Sequence, residues 1–533
     1  MRLSRPIAVA FLTATLGITG AAVAQPAQVS LGQIKSVAPG SYPFPGRADD
    51  LAAGQYWYWD REVHGSGNQR WGYDFSASRF DSRNKRWTRV KIDLEDYNKN
   101  KRNEDWIIYG KPVYAIAGGE VVRCWRNAPE NPRPGESHPG RLAEPPTIPG
   151  GGNSLWIHQD DGKYVLYAHM TPGSIPASLC PISEQFMTDP TDADLPQDVS
   201  PRVEVGQRLG LVGNSGKSGN PHLHIHLQDG PPGSGKALVL RFNNTWVKPR
   251  GSDDSDKDWT RIDSKSYLNG PILILPDYAP GRREIARHAV PADRYQFVFN
   301  RIASSGYQLE WIDGFNSGGR IFFNVVFRPS DGKKSVAFHN LTAARYQEEF
   351  NKFTSQSYRL VHINSYPAAN RVLYAAIFDA DSGSPFTAHH GLSAAQHQNR
   401  FNELTGAGWR PKNISVTSIN GQRSYAAVFE RTNVGSYVAR SFLTLAQYQQ
   451  HFTENRNAGR QLAYLSAYEH NGEPHFSAIW NSVTKGAFKA RHGLTSQQYQ
   501  QEWEDALGNG QLTRAVTAYP QGNSVRYAAV WRR

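Results

Sequence analysis

Hydrophobic and polar positions divide the chain into stretches of different rhythm. Residues 6–24 form a mostly apolar run behind Arg2 and Arg5. From about Tyr56 to Leu268, short β-type runs are broken by turn residues, at 112–117, 119–124, 154–158, 164–170, 208–213 and 222–227. Strand-length runs with such punctuation predict an all-β domain over 56–268. Beyond that point a period of 51 residues takes over, with Leu341, Leu392, Leu443 and Leu494 in phase. In the same phase stand Tyr295, Tyr346, His397, Tyr448 and Tyr499, each followed by Gln, with an aromatic four residues further on. Phe323, Tyr374, Tyr425, Phe476 and Tyr527 then open strand-like runs. Five copies are predicted over 290–533, each with one helix and at least two strands.

The helices have start signals. Thr342, Ser393, Thr444 and Thr495 precede them, and in the last three a Gln follows three residues on, at Gln396, Gln447 and Gln498, which makes a capping box. Tyr346 and Phe350 share a helix face. One copy cannot bury such a face alone, whereas stacked copies can, so the periodic aromatics read as core. His339, His390 and His492 are also in phase, but Ser441 interrupts them, and they read as packing residues rather than metal ligands.

The rest of the chain fills in around these stretches. The apolar run ends in Ala22-Val23-Ala24, a small-x-small cleavage site, so residues 1–24 read as a signal peptide of an exported protein, periplasmic or secreted. No later run is long and apolar enough for a transmembrane anchor. Residues 25–55 are rich in Gly, Pro and Ser and read as a lead-in; 128–152 reads as a long surface loop and 269–289 as a linker. The length of 533 residues requires more than one core. Two cysteines, Cys124 and Cys180, allow a single bridge in an oxidising compartment or two separate buried thiols. The net charge of +12 suits an anionic partner such as a cell envelope, but equally ordinary solubility. With no basic run or nucleic-acid motif, no nucleic-acid partner is expected.

Candidate chemistry concentrates in His222-Leu223-His224-Ile225-His226. On a strand alternate side chains share a face, and two imidazoles about 6.5–7 Å apart can converge on one ion. Imidazole suits zinc, and a carboxylate can complete a site with one position open.

Other motifs stand around that strand in a fixed order: Trp71-Gly72-Tyr73-Asp74-Phe75, then 112–121, Gly152 to His158, Tyr164 to Met170 with His169, and Val205 to Gly216 leading into Pro221-His222. In this order they resemble the lysostaphin-type (M23) zinc metallopeptidases, the duplicated-hybrid-motif fold, over about residues 56–230. The resemblance implies Asp74 and His224 as zinc ligands. It implies His222 and His169 as catalytic residues that orient or deprotonate the attacking water and stabilise the oxyanion. The family's usual first ligand falls on Arg70, which stays protonated and cannot ligate. A variant pattern draws that ligand from an upstream loop, and His64 fits it. His226 stands where the family often has Glu and reads as a polar support. The repeats resemble the bacterial tandem repeats of polyglycine hydrolases, which implies a stacked α+β module; as a separate expectation, that module binds a glycan or protein. Together these imply an exported zinc endopeptidase acting on peptidoglycan cross-links or a related peptide. The alternative is a catalytically degenerate M23-like binding protein or regulator of cell-wall hydrolysis.

Overall fold

A computed structural model describes residues 40–60, 67–181, 194–251, 258–262, 268, 270–381 and 383–533. The expected signal peptide, residues 25–39 of the lead-in and His64 lie outside these residues. The described residues divide into two compact units, one up to residue 279 and the other over 280–533.

The first unit is built on a long antiparallel sheet, as its short apolar runs predict. Its main strands are β1 (Gln55–Trp59), β2 (Tyr73–Asp81), β3 (Gly119–Trp125), β4 (Asn153–Gln159), β5 (Tyr164–Met170), β6 (Leu223–Gln228), β7 (Thr245–Pro249), β8 (Thr260–Ile262) and β9 (Ile272–Pro276). They lie in the order β8-β7-β9-β1-β2-β6-β5-β4-β3. The alternation in β6 sends Leu223, Ile225 and Leu227 into the core, all at most 2% exposed, and leaves His224 and His226 on the opposite face. Phe44, Trp57, Trp59, Tyr73, Phe75 and Phe242 pack under β1 and β2. Cys124 and Cys180 form a disulfide, joining β3 to the segment that follows β5.

Two boundary expectations change. The lead-in is not wholly outside the domain: Phe44 and Leu51 belong to its core, and Tyr42–Pro43 pairs in parallel with Phe242–Asn243. Residues 269–289 are not a linker throughout. Ile272–Pro276 lies between β7 and β1, and Ile285–Pro291 is the first strand of the first repeat. Gly and Pro content masked two short strands whose apolar side chains are paired and buried.

The second unit contains the five repeats. Each has an edge strand, a 13-residue helix, an inner strand and a middle strand, and the middle strand pairs with the other two. The Ser393, Thr444 and Thr495 capping boxes are present, while Thr342 caps Arg345 through its hydroxyl alone. The inner strands are Tyr307–Ser317, Arg359–Ala368, Arg410–Ile419, Gln461–His470 and Leu512–Gln521. Each lies against the next, and the fifth lies against the first. The expected stack is therefore a closed ring. At the closing seam Trp311 Nε1 donates to the Val516 carbonyl at 2.7 Å, and the Ala518 amide donates to Asp313 Oδ2 at 3.1 Å. Glu284, 1% exposed in the first repeat, accepts from Trp503 Nε1 at 2.8 Å and from the Thr513 amide at 2.8 Å in the fifth. The in-phase histidines pack as expected: His339 edges onto Tyr295 and His390 onto Tyr346, at 4.5 and 4.7 Å between ring centres.

Candidate metal and hydrolytic site

Three adjacent strands, β2, β6 and β5, assemble the site. Asp74 of β2 stands directly opposite His224 of β6 in the antiparallel register, and His224 stands opposite Ala168 of β5. That register brings Asp74 Oδ1 to 2.8 Å from His224 Nδ1. His222, just before β6, places Nε2 3.4 Å from the same carboxylate oxygen. His169, near the end of β5, lies 4.7 Å from the His222 ring and 5.8 Å from the His224 ring. Ligand atoms of His169, His222 and His224 all fall within 4.8 Å of one another, so this cluster could bind a metal ion.

The loop between Leu211 and Leu223 sets the two outer imidazoles. His169 Nδ1 lies 2.8 Å from the Ser215 carbonyl, and His222 Nδ1 lies 2.7 Å from the Asn220 carbonyl. A carbonyl oxygen can only accept, so each bond calls for a proton on Nδ1 and leaves Nε2 as the basic nitrogen. His169 itself has φ 68°, in the left-handed region. Such backbone is uncommon for a residue with a side chain and costs about 1–3 kcal/mol. Its amide donates to the Gly151 carbonyl at 2.9 Å and its carbonyl accepts from the Gly213 amide at 3.0 Å, which fixes the conformation. Two glycines let the loops cross here. A Cβ on Gly216, φ 75°, would overlap the Gly152 nitrogen, and one on Gly152, φ 59°, would overlap Ser215.

Electrostatics separates the two. Burial, with positive neighbours at His222 and His224, holds the His169 pKa well below its ordinary value. Burial also opposes charge on His222, but Asp74 and the Asn220 carbonyl outweigh it and raise the pKa. His226 is buried with Nδ1 2.9 Å from His224 Nε2. It can therefore receive the His224 Nε2 proton, or supply one, according to what faces Nδ1. Its ring edges against Trp156 at 5.1 Å.

Asp74, His169, His222 and His224 line one groove of about 550 Å³, so four of the five site residues expected from sequence come together. The fifth, His64, lies outside the described residues. The Arg70 guanidinium lies over the Trp71 ring at 5.0 Å. Sequence reasoning missed Asp60, Gln69, Arg89 and Lys217 on the groove wall. Arg89 pairs with Asp60 across 29 residues, a contact with no local signal. The carbonyls that orient the imidazoles were also missed, although Ser215 lies inside the glycine-rich motif ahead of His222 and Asn220 just after it. The donor set fits zinc: imidazoles plus one carboxylate, with His226 available to orient a ligating ring.

Comparisons with known proteins concern both units. Among curated proteins none matches the chain. Solved structures similar to parts of it include the lysostaphin catalytic domain from Staphylococcus simulans, at 18% identity over 34% of this chain and 86% of that one, with a TM-score of 0.17. The catalytic domain of the prophage-encoded M23 protein EnpA from Enterococcus faecalis, in mutant form, is similar at 18% identity over 37% of this chain and 92% of that one, with a TM-score of 0.19. Lysostaphin itself is similar at 13% identity over 64% of this chain and 92% of that one, with a TM-score of 0.20. The model of the polyglycine hydrolase-like structural repeat matches residues 281–330, 332–381, 383–432, 434–483 and 485–533. Each match begins ahead of an edge strand, so the unit starts before the helix and not at residue 290. The ring is thus made of five polyglycine hydrolase-like structural repeats.

Proposed function

We propose that this chain is an exported, zinc-dependent endopeptidase of the lysostaphin (M23) type, cleaving peptide cross-links of peptidoglycan or a related peptide. The observation that carries this reading is the convergence of Asp74, His224, His222 and His169 at one groove. The ordered sequence motifs around β6 agree with it. Asp74 and His224 would hold the metal, with His64 as the third protein ligand. When bound, zinc supplies Lewis-acid polarisation of the scissile carbonyl and acidifies water.

The chain's own groups do the rest. His222 presents Nε2 beside Asp74 and is placed to accept the proton of an attacking water. Burial keeps His169 neutral, so it serves as a proton acceptor or as an orienting acceptor for water. A disulfide at Cys124–Cys180 suits an oxidising compartment, and no described helix is long and apolar enough to cross a membrane. The repeats would bind a glycan or protein of the target surface.

The test combines zinc content with digestion of purified peptidoglycans of several cross-link types. Asp74→Ala, His224→Ala and His64→Ala are expected to lose zinc and turnover together. His222→Ala and His169→Ala are expected to keep zinc and lose turnover by about 100-fold or more. Loss of zinc from those two instead would make the three-histidine cluster the ligand set. Undiminished hydrolysis by His222→Ala would sink the assigned roles.

A further inference from the structure

We propose that Asn131, supported by Glu130, is a positioning residue that aims both proton-accepting histidines through the loop between Leu211 and Leu223. The proposal rests on the hydrolytic reading of the site and extends it to a residue outside the groove.

Both imidazoles take their tautomer from this one loop, at the Ser215 and Asn220 carbonyls. Asn131 grips the span between those two points. Its Nδ2 donates to the Gly216 carbonyl at 3.1 Å and to the Ser218 carbonyl at 2.8 Å. Its backbone amide donates to the Asn214 carbonyl at 3.0 Å, and its Oδ1 accepts from the His138 amide at 2.8 Å. The residue is 1% exposed, so both amide protons are committed and no water competes for them. Glu130 continues the clamp: Oε1 accepts from the Asn214 amide at 3.1 Å, and Oε2 accepts from the Tyr109 hydroxyl at 2.9 Å. Asn214 is held from its other side by Asn103 at 2.9 Å, and its Oδ1 accepts from Ser218 Oγ at 2.7 Å. Ser218 Oγ lies 3.2 Å from His222 Nδ1.

The two halves of the site therefore have separate supports. Asp74 and His224 are fixed by the β2–β6 register. The outer histidines depend on the clamped loop. Removing the Asn131 amide takes the side-chain donor from the Ser218 carbonyl and leaves the Gly216 carbonyl only the Ser218 amide at 3.0 Å, which loosens the loop that carries the two orienting carbonyls. The metal-holding pair on the strands stays in place.

Full-length Asn131→Asp keeps the shape and the bond from His138 but removes both donors; Asn131→Ala and Glu130→Gln serve as second variants. Zinc content, thermal melting, kinetics on a peptide and the histidine tautomers by selective ¹⁵N labelling are measured together. Wild type is expected to show the Nδ1-protonated form at His169 and His222. The Asn131 variants are expected to keep zinc, lower kcat by about 10–100-fold with KM within about twofold, and show mixed tautomers at those two residues. Glu130→Gln is expected to do the same to a smaller degree. Unchanged tautomers and kcat in a folded Asn131 variant would overturn the proposal, as would zinc loss in proportion to activity. If the Asn131 variants do not fold, Glu130→Gln decides on the same readouts. A wild type that hydrolyses no peptide would defeat the peptidase reading, while the tautomers would still decide the positioning role.

Discussion

The left-handed backbone at His169 couples stability to chemistry at a single residue. Asparagine tolerates that region better than most residues. His169→Asn is therefore expected to melt within a few degrees of wild type while losing turnover by at least about 100-fold, as read by thermal melting and peptide hydrolysis. Gly216→Ala should lose both. Its φ of 75° alone costs alanine about 1–2 kcal/mol, and the methyl would press on the Gly152 backbone, so the melting temperature should fall, and turnover should fall with it because the adjacent Ser215 carbonyl orients His169. A wild-type melt in Gly216→Ala would mean that the crossing loops part easily. His222 and His224 were legible as a pair because a strand has a strict period of two, whereas Asp74 and His169 were singled out only by the resemblance of the ordered motifs to the M23 metallopeptidases. Asn131 was not. It sits in a Pro- and Gly-rich stretch without period, and its partners are about 85 residues away in the chain.

Among the elements, the repeat helices were the easiest to read, since each carries a pair of rings four residues apart and the last four also have a capping signal. The edge strands were not. Phe386–Leu392, for example, is half-exposed for most of its length and carries a bulge between His389 and Leu392, so its alternation is lost. Only pairing with the middle strand defines it. One edge strand has a second duty, because Glu284 at its start fastens the first repeat to the fifth helix and inner strand. Glu284→Ala removes a fully buried acceptor and leaves Arg328 beside the gap, 3.6 Å from the former carboxylate. A loss of about 3–5 kcal/mol is expected in chemical unfolding, and a loss under about 1 kcal/mol would show that the seam is not a fastening point.

For the whole molecule, the ring gives stability a dependence on pH of its own. Burial pushes Asp313 up to about 7, despite bonds from Asn324, Thr517 and the Ala518 amide. Its folded pKa lies above its unfolded value, so the folded state binds the extra proton between about pH 4 and 7. Stability from this group is present below that window and lost as pH rises through it, by on the order of 4 kcal/mol. His339 and His362 act with the opposite sign. Burial lowers both to about 4, so their contribution is present above about pH 6.5 and lost as pH falls towards 4. Urea midpoints of wild type and Asp313→Asn at pH 5 and pH 8 separate the two effects. The wild type should lose ground to the variant at the higher pH, and parallel midpoints would remove Asp313 from the account.

A linear array of repeats can shed its outermost member and keep the remainder, because each member leans only on its neighbours. In a hoop no member is outermost. Excising one whole repeat, residues 383–432, would leave two inner strands with no counterpart and a gap that four units must bend to bridge. The expected result is collapse of the array's melting transition, not a drop of one part in five. Five is thus a number set by curvature, and insertions or losses of whole repeats should be tolerated only where the bend per unit changes with them.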